Sequence, residues 1–478
     1  MSLTRKIAHN TAIQAIGKIF GLALSLITAG LVLRYLGQAG YGQYSTVTAF
    51  VMIFGIIIDF GLYIILLKKI STINQDTEKL VNNIFTLRVI SGVIFLGLAP
   101  IIGFFMPYPG IVKIGILITC GFYLFISLNQ LLSAIFQKFM TTYWIALGEF
   151  LGKTVLLAST LIFIYLKLDL KFILLSLVLG SFINFLINFF GSRKYFKIKF
   201  SYDKKIWLEI LKESWPIALS IFFTLIYFKA DTIILSLFQP ESEVGIYGAP
   251  YKIVEVLIYF PTMFIGLALP ILTKHWQEKN LEKFKQVLQK AFDFLVISAV
   301  PMIGGTIVLA EPIMRLLGGE EFIASAPILR ILIIATATIF LGTLFTYLVV
   351  ALNQQKKMLI GYSFVGVSAL ILYLIFIPKY SYWAAASITV YSEFMILIIA
   401  YFICYKVSKC ALNFQNLLKV IFATLVMMLS LYMVPNYNII FSILVGIVIY
   451  LAFLYLIKGI SKEQILEIVS LKRNEDSN

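Results

Sequence analysis

Apolar residues in this chain come in runs too long to be the buried faces of soluble helices. Fourteen charge-poor stretches are bounded by charges or by Gly and Pro. They lie near residues 11–35, 41–67, 83–105, 111–136, 142–165, 172–191, 214–238, 247–272, 290–310, 324–352, 357–377, 383–404, 417–434 and 438–457. About 20 apolar residues, rising about 1.5 Å each, cross the roughly 30 Å of hydrocarbon in a bilayer. The pattern therefore predicts an all-α polytopic membrane protein with about 14 transmembrane helices. The last two runs are short, and only Pro435, Asn436 and Asn438 part them. The first exceeds the roughly 7–15 apolar residues of a signal-peptide core, so it is expected to persist as a helix.

The polar positions between the runs test this count. With the N-terminus inside, 27 of the 39 Lys and Arg fall in cytoplasmic connections, and six (Arg34, Lys113, Lys167, Lys171, Arg315 and Lys379) fall opposite. That is a positive-inside asymmetry, and it predicts an even number of crossings with both termini cytoplasmic. It also disposes of the nucleic-acid partner that a net charge of +16 would suggest in a soluble protein. Only 13% of residues are charged and 60% are hydrophobic, where soluble chains carry about 25% charge, so a soluble multidomain enzyme is excluded.

No connection is long enough to fold by itself; the expected external loops at 239–250 and 311–323 are the longest on their side. The stretch GSRKYFKIKFSYDKKIWLEILKE at 191–213 is the longest basic connection and reads as a hinge between halves. Trp276, Phe284, Leu288 and Phe292 recur near helical spacing among charges, as in an interfacial helix leading into the ninth run. Ser461 and Gln464 form a capping box before a stripe of Leu466, Val469 and Leu471. A weak repeat joins Gly42-Gln43-Tyr44 to Gly245-Ile246-Tyr247, 203 residues later. Two six-helix bundles with the same orientation would be related by a pseudo-two-fold axis along the membrane normal. The expected division is 1–192, a basic cytoplasmic linker at 193–213, 214–410, and two further helices with a cytoplasmic tail at 411–478.

Candidate chemistry sits in charges at membrane depth, each costing about 2.5–3.5 kcal/mol at a helix centre. The cations are Lys18, Arg88, Lys153, Lys229, Lys252 and Arg330; the acids are Asp59, Glu149, Asp231, Glu255 and Glu393. Glu149 and Lys153 are spaced as a helical ion pair, and Lys252 and Glu255 share a face. Lys229 and Asp231, two residues apart, must find partners on other helices. Arg88 lies close enough to its boundary to snorkel. A cavity lined by such groups would suit an anion that carries hydrogen-bonding sugars, whereas charges that only neutralise one another would hold helices together; sequence alone leaves both readings open. The three Cys and two His have neither metal nor redox spacing, and no DxD pair, Ser/His/Asp arrangement or phosphate-cradling Gly loop occurs. No catalytic residue, metal site or cofactor is expected, and the chain reads as a non-enzyme.

The segments RYLGQAGYGQYS (Arg34 to Ser45), IIDFGL (Ile57 to Leu62), YFKADTIILSLFQPESEVGIYGAPYKIVE (Tyr227 to Glu255) and ALPILTK (Ala268 to Lys274) resemble signatures of a known family. It is the polysaccharide transporter, or Wzx-type oligosaccharide flippase, branch of the multidrug/oligosaccharidyl-lipid/polysaccharide (MOP) exporter superfamily. The chain departs from it at Pro250 and Thr273. The resemblance implies translocation of undecaprenyl-diphosphate-linked oligosaccharide from the cytoplasmic to the outer leaflet of the inner membrane, by alternating access, for surface polysaccharide such as O-antigen. On that footing Lys18, Lys229, Lys252 and Arg330 are the cations for the diphosphate. Asp59, Asp231 and Glu255 are the candidate carboxylates for coupling to protons or sodium. The implied partners are the lipid-linked oligosaccharide, membrane lipid, and a polysaccharide polymerase with its chain-length partner. A cation-coupled drug or metabolite exporter of the same superfamily and a membrane enzyme of polysaccharide assembly are the alternatives.

Overall fold

The computed structural model describes residues 3–70, 77–433 and 438–460, with side chains from Gly17 onward apart from those of 216, 220 and 226–228. The tail motif at Ser461 to Leu471, and Pro435 with Asn436, lie outside the described residues. Among the described residues the elements are thirteen α-helices and one 3₁₀ helix, with no strand. They are α1 (Leu3–Asp59), α2 (Leu62–Ile70), α3 (Thr77–Phe105), α4 (Gly110–Lys138), α5 (Tyr143–Tyr165), α6 (Leu170–Ser192) and α7 (Lys204–Phe238). There follow α8 (Glu241–Gln277), α9 (Leu281–Gly318), the 3₁₀ helix Glu320–Ser325, α10 (Ala326–Ala351), α11 (Gln355–Ser408), α12 (Gln415–Met433) and α13 (Ile439–Leu456).

Among the described residues, eleven helical stretches are long and apolar enough to cross a membrane, twelve if the bent halves of α7 count as one. Two of them, Gly17–Ile70 and Gln355–Ser408, have 54 residues each. At about 1.5 Å per residue each is about 80 Å long, more than twice the hydrocarbon thickness. Both are broken midway by a left-handed residue, Gly37 (φ 65°) in α1 and Ser381 (φ 50°) in α11. Each therefore has the length of two crossings. Gly37 supplies a positive φ without strain. Ser381 does so while its hydroxyl donates to Glu243.

The chain separates into two compact units. The first holds residues 1–253, 317–322 and 362–388. In it α5 packs on α6, α4 on α6, and α1 on α4 and α5. Small residues permit the closest of these approaches: a Cβ on Gly152 would lie 2.7 Å from the Gly180 carbonyl, and one on Gly180 would lie 2.7 Å from the Gly152 carbonyl. Thr160 donates to Ser176 at 3.0 Å, and Asn188 to Asn129 at 3.0 Å, so these polar side chains at depth bond between helices.

The basic segment after α6 is strapped to α3. Its alternate residues meet three polar side chains of the first turns of α3: Lys199 N–H donates to Asn82, Ser201 N–H to Thr86, and Asp203 N–H to Asn83, at 2.7–2.9 Å. Period-two pairing is what an extended chain provides. Asp203 then caps α7 by accepting from Lys205 and Ile206 N–H, and accepts from Lys79 at 2.7 Å. The basic segment is thus an ordered strap along the N-terminal part of α3.

The second unit holds residues 254–316, 323–361 and 389–478. Here the expected interfacial stripe behaves differently. Phe284, Leu288 and Phe292 are at most 3% exposed, on an α9 that runs unbroken to Gly318. The stripe serves the interior of the unit, because α9 is long enough to present it before the apolar run begins. Helix α13 docks on α9 through Tyr450, whose hydroxyl donates to the Ile297 carbonyl at 2.8 Å. Gly304 of α9 lets α12 approach at Thr424 and Met428. In the first unit the expected 239–250 loop is absent: α8 starts at Glu241, where Pro240 precedes a first turn carrying Glu241 and Glu243, which favour a helix N-terminus.

Candidate functional site

The two repeat motifs meet. A Cβ placed on Gly42 would run into the Glu241 carbonyl, and one on Gly245 would run into the Gln38 carbonyl. Gln38 and Glu241, like Gly42 and Gly245, are 203 residues apart, so each motif makes the same contact with the other. Such reciprocity is the mark of a two-fold contact between equivalent surfaces. Gly248 completes it, sitting against Ser45, again at the 203 offset. A side chain at either Gly would push the two backbones apart.

One turn further along α8, that crossing positions the buried charge of the first unit. Asp231 on α7 is fully buried; Tyr247 Oη donates to its Oδ2 at 2.5 Å, and Thr232 donates to Oδ1 through both its N–H and, at 3.1 Å, its hydroxyl. Lys229 is 7% exposed, and its Nζ lies 4.3 Å from the centroid of the Tyr251 ring. A cation over a desolvated aromatic face gains about 2 kcal/mol. Tyr247 and Tyr251 are successive on one face of α8, so the aromatic pair holds both charges, as the spacing of Lys229 and Asp231 required. Lys252 is half-buried on α8, and Glu255, also half-buried, belongs to the second unit.

Asp59 and Lys18 have different surroundings. Asp59 ends α1, where Phe60 (φ 43°) and Gly61 (φ 75°) break the helix, and it pairs with Arg88 of α3. Arg88 does not snorkel: it is 0% exposed, and Nη2 also donates to Gln130 Oε1 of α4 at 3.4 Å. The nearby end of α1 supplies the carboxylate that makes burial tolerable. Lys18 lines a cavity of about 240 Å³ with Tyr63, Gln130, Ser133, Gln137 and Glu149. Glu149 thus shares a cavity with Lys18, and Gly21 lets α1 approach its carboxylate.

In the second unit Arg330 pairs with Glu311 at 3.1 Å and donates from Nε to the Ile307 carbonyl, with side chains 36% and 53% exposed. Glu393, on α11, is 7% exposed. Counting charges at depth singles out Lys18, Lys229, Lys252, Arg330, Asp59, Asp231 and Glu255. It missed the neutral partners Tyr247, Tyr251, Gln130 and Gln137. Gln130, Ser133 and Gln137 fall at i, i+3 and i+7 within an apolar run, which is a legible polar face.

The chain matches the family described as Polysaccharide biosynthesis protein over residues 7–276, and the MatE family over 216–378. No curated protein matches it. Among solved structures it resembles "Lipid II flippase MurJ, inward closed conformation" with a TM-score of 0.75 and 17% identity, covering 92% of this chain and 97% of that one. It also resembles an inward-facing multidrug resistance MATE family transporter of the MOP superfamily, with a TM-score of 0.64 and 15% identity over 82% of this chain and 94% of that one. A third is a MOP superfamily transporter from Pyrococcus furiosus, described as having a binding pocket of reversed polarity, at 0.61 and 14% over 84% and 95%. At these identities the structures speak for the fold alone, and the family match covers more than half the chain. The chain therefore belongs to the polysaccharide biosynthesis protein family, and its helices adopt the fold of the flippase and MATE structures it resembles.

Proposed function

We propose that this protein moves undecaprenyl-diphosphate-linked oligosaccharide from the cytoplasmic to the outer leaflet of the inner membrane, for surface polysaccharide biosynthesis. In this reading the chain crosses the membrane fourteen times with both termini cytoplasmic. Six-helix bundles at 1–192 and 214–410 alternate access, and the linker at 193–213 joins them. Lys18, Lys229, Lys252 and Arg330 meet the diphosphate, for which charge-assisted hydrogen bonds in a protected site are the strongest available. Asp59, Asp231 and Glu255 are the coupling carboxylates. Asp59 is released only when Arg88 is satisfied otherwise, and Asp231 only when Tyr247 turns away.

The observation that carries this reading is the buried Lys229 held over Tyr251 beside Asp231, inside the segment that matches the polysaccharide family. A cation held at depth over an aromatic face gives an anion a protected site to meet. The test is transfer of a radiolabelled lipid-diphosphate-sugar between leaflets of proteoliposomes. Wild-type protein transfers it, and Lys229→Ala and Lys252→Ala slow the transfer at least about tenfold, as loss of about 1.4 kcal/mol of interaction implies. Wild-type rates in both variants overturn the site. No transfer with any lipid-linked sugar overturns the function. The MatE match over 216–378 supports one second reading, export of a drug or metabolite driven by a cation gradient. That reading requires uptake of a cationic dye into inverted vesicles.

A further inference from the structure

The cavity that holds Lys18 is built for a ligand other than a phosphate. Its α4 wall is one face, Gln130, Ser133 and Gln137; Tyr63 of α2, Lys18 of α1 and Glu149 of α5 add the other polar groups, and Ile145 and Ala146 of α5 an apolar floor. Each neutral group is already committed on one side. Gln130 accepts from Arg88 through Oε1, so its amide N–H pair remains to donate. Gln137 donates to Tyr63 Oη at 2.8 Å, which leaves the Gln137 carbonyl to accept and the Tyr63 O–H to donate. Ser133 donates to the Asn129 carbonyl at 2.9 Å, so its oxygen accepts. Lys18 and Glu149 add one charge of each sign to these walls, which therefore present both donors and acceptors. An anion would meet Glu149 and two further acceptors, and a cation would meet Lys18. A neutral ring of hydroxyls, each donor and acceptor at once, matches both sets.

We propose that this cavity, within the first unit and at the cytoplasmic end of α4, is a subsite for one neutral pyranose ring of the substrate. Its volume of about 240 Å³ is room enough for one ring. The Arg88–Asp59 pair acts as a positioning pair: by holding the Gln130 carbonyl it turns the amide donors toward the sugar. The proposal rests on the flippase reading above, from which the sugar-bearing substrate comes.

The test uses the full-length protein in lipid nanodiscs and saturation-transfer NMR. The probes are free glucose, galactose, mannose, fucose, rhamnose, N-acetylglucosamine and N-acetylgalactosamine. At least one sugar is expected to receive saturation, to resist displacement by inorganic pyrophosphate, and to be displaced by a lipid-linked oligosaccharide. Tyr63→Phe with Gln137→Leu removes both partners of one hydrogen bond, which leaves neither orphaned and spares the fold. That double variant is expected to weaken the sugar about tenfold, as loss of two hydrogen bonds implies. Glu149→Gln keeps the shape and is expected to weaken it several-fold. No saturation of any sugar, displacement by pyrophosphate, no displacement by the lipid-linked substrate, or unchanged binding in both variants overturns the subsite. Leaflet transfer is read separately: transfer without sugar binding removes the subsite alone, and sugar binding without transfer removes the flippase reading.

Discussion

Asp59→Asn isolates the buried ion pair at the break after α1. The substitution keeps the volume and removes the charge that faces Arg88. The guanidinium then has no exposed surface, and its Nε and Nη1 already lack hydrogen-bond acceptors among the described residues. Breaking a buried pair from one side costs about 3–5 kcal/mol. The reverse cut is milder, because the Asp59 side chain is 19% exposed and can reach water once Arg88→Met removes its partner. That cost is about 1–3 kcal/mol, the desolvation of a group left partly wet. The order is therefore predicted, with Asp59→Asn the worse single variant. The double variant should be more stable than Asp59→Asn by about 1 kcal/mol or more, since it leaves no stranded cation. Equilibrium unfolding in lipid nanodiscs at neutral pH, by steric trapping, gives all four corners of the cycle. The reasoning is refuted if Asp59→Asn falls within about 0.5 kcal/mol of wild type, the range of ordinary surface changes, or if the two singles simply add.

Three further outcomes follow from the geometry. Gly42→Ala and Gly245→Ala each place a methyl into backbone of the facing motif and should cost about 3 kcal/mol or more, read as lost thermal stability; Gly97→Ala, which meets nothing within 4 Å, should be neutral or gain up to about 1 kcal/mol. The Lys79 ammonium, with help from the Ile206 N–H, holds the Asp203 carboxyl below its usual 3.8. A folded value below the unfolded one stabilises at higher pH and is lost as pH falls through it, so the advantage of wild type over Asp203→Asn should be constant above about pH 5 and shrink below 3.8. A gap that widens in acid contradicts this. A variant retaining Cys410 as its only cysteine should react with an impermeant maleimide in inverted vesicles and stay unlabelled on intact cells, because Cys410 follows the end of α11 on the proposed cytoplasmic side.

How much was legible differs between fold and site. Apolar runs predicted helices because a bilayer demands about 20 apolar residues per crossing, and that demand is written locally. Run edges were less reliable. The expected loop at 239–250 dissolved because charged and small residues such as Glu241, Glu243 and Gly245 sit comfortably in a first helical turn, and the Phe284 stripe faced inward because only packing decides which side a long helix buries. Among candidate site residues, the spacing of Lys229 and Asp231 required partners elsewhere, and α8 supplies them in Tyr247 and Tyr251. Charge at depth misjudged Arg88, since reach to the interface is readable from position and an approaching carboxylate is not.

The sequence by itself determined that this chain is a helical, multi-pass membrane protein with an internal repeat and the signatures of its family. Those properties follow from hydrophobic length, charge asymmetry and local motifs, which need no knowledge of what lies across the fold. Only the tertiary structure decided that Gly42 and Gly245 face each other, that Asp59 answers Arg88, and that two glutamines, a tyrosine and a serine join Lys18 and Glu149 around one cavity. Such contacts join residues tens to hundreds of positions apart, and a buried polar group is worth what its partners make of it.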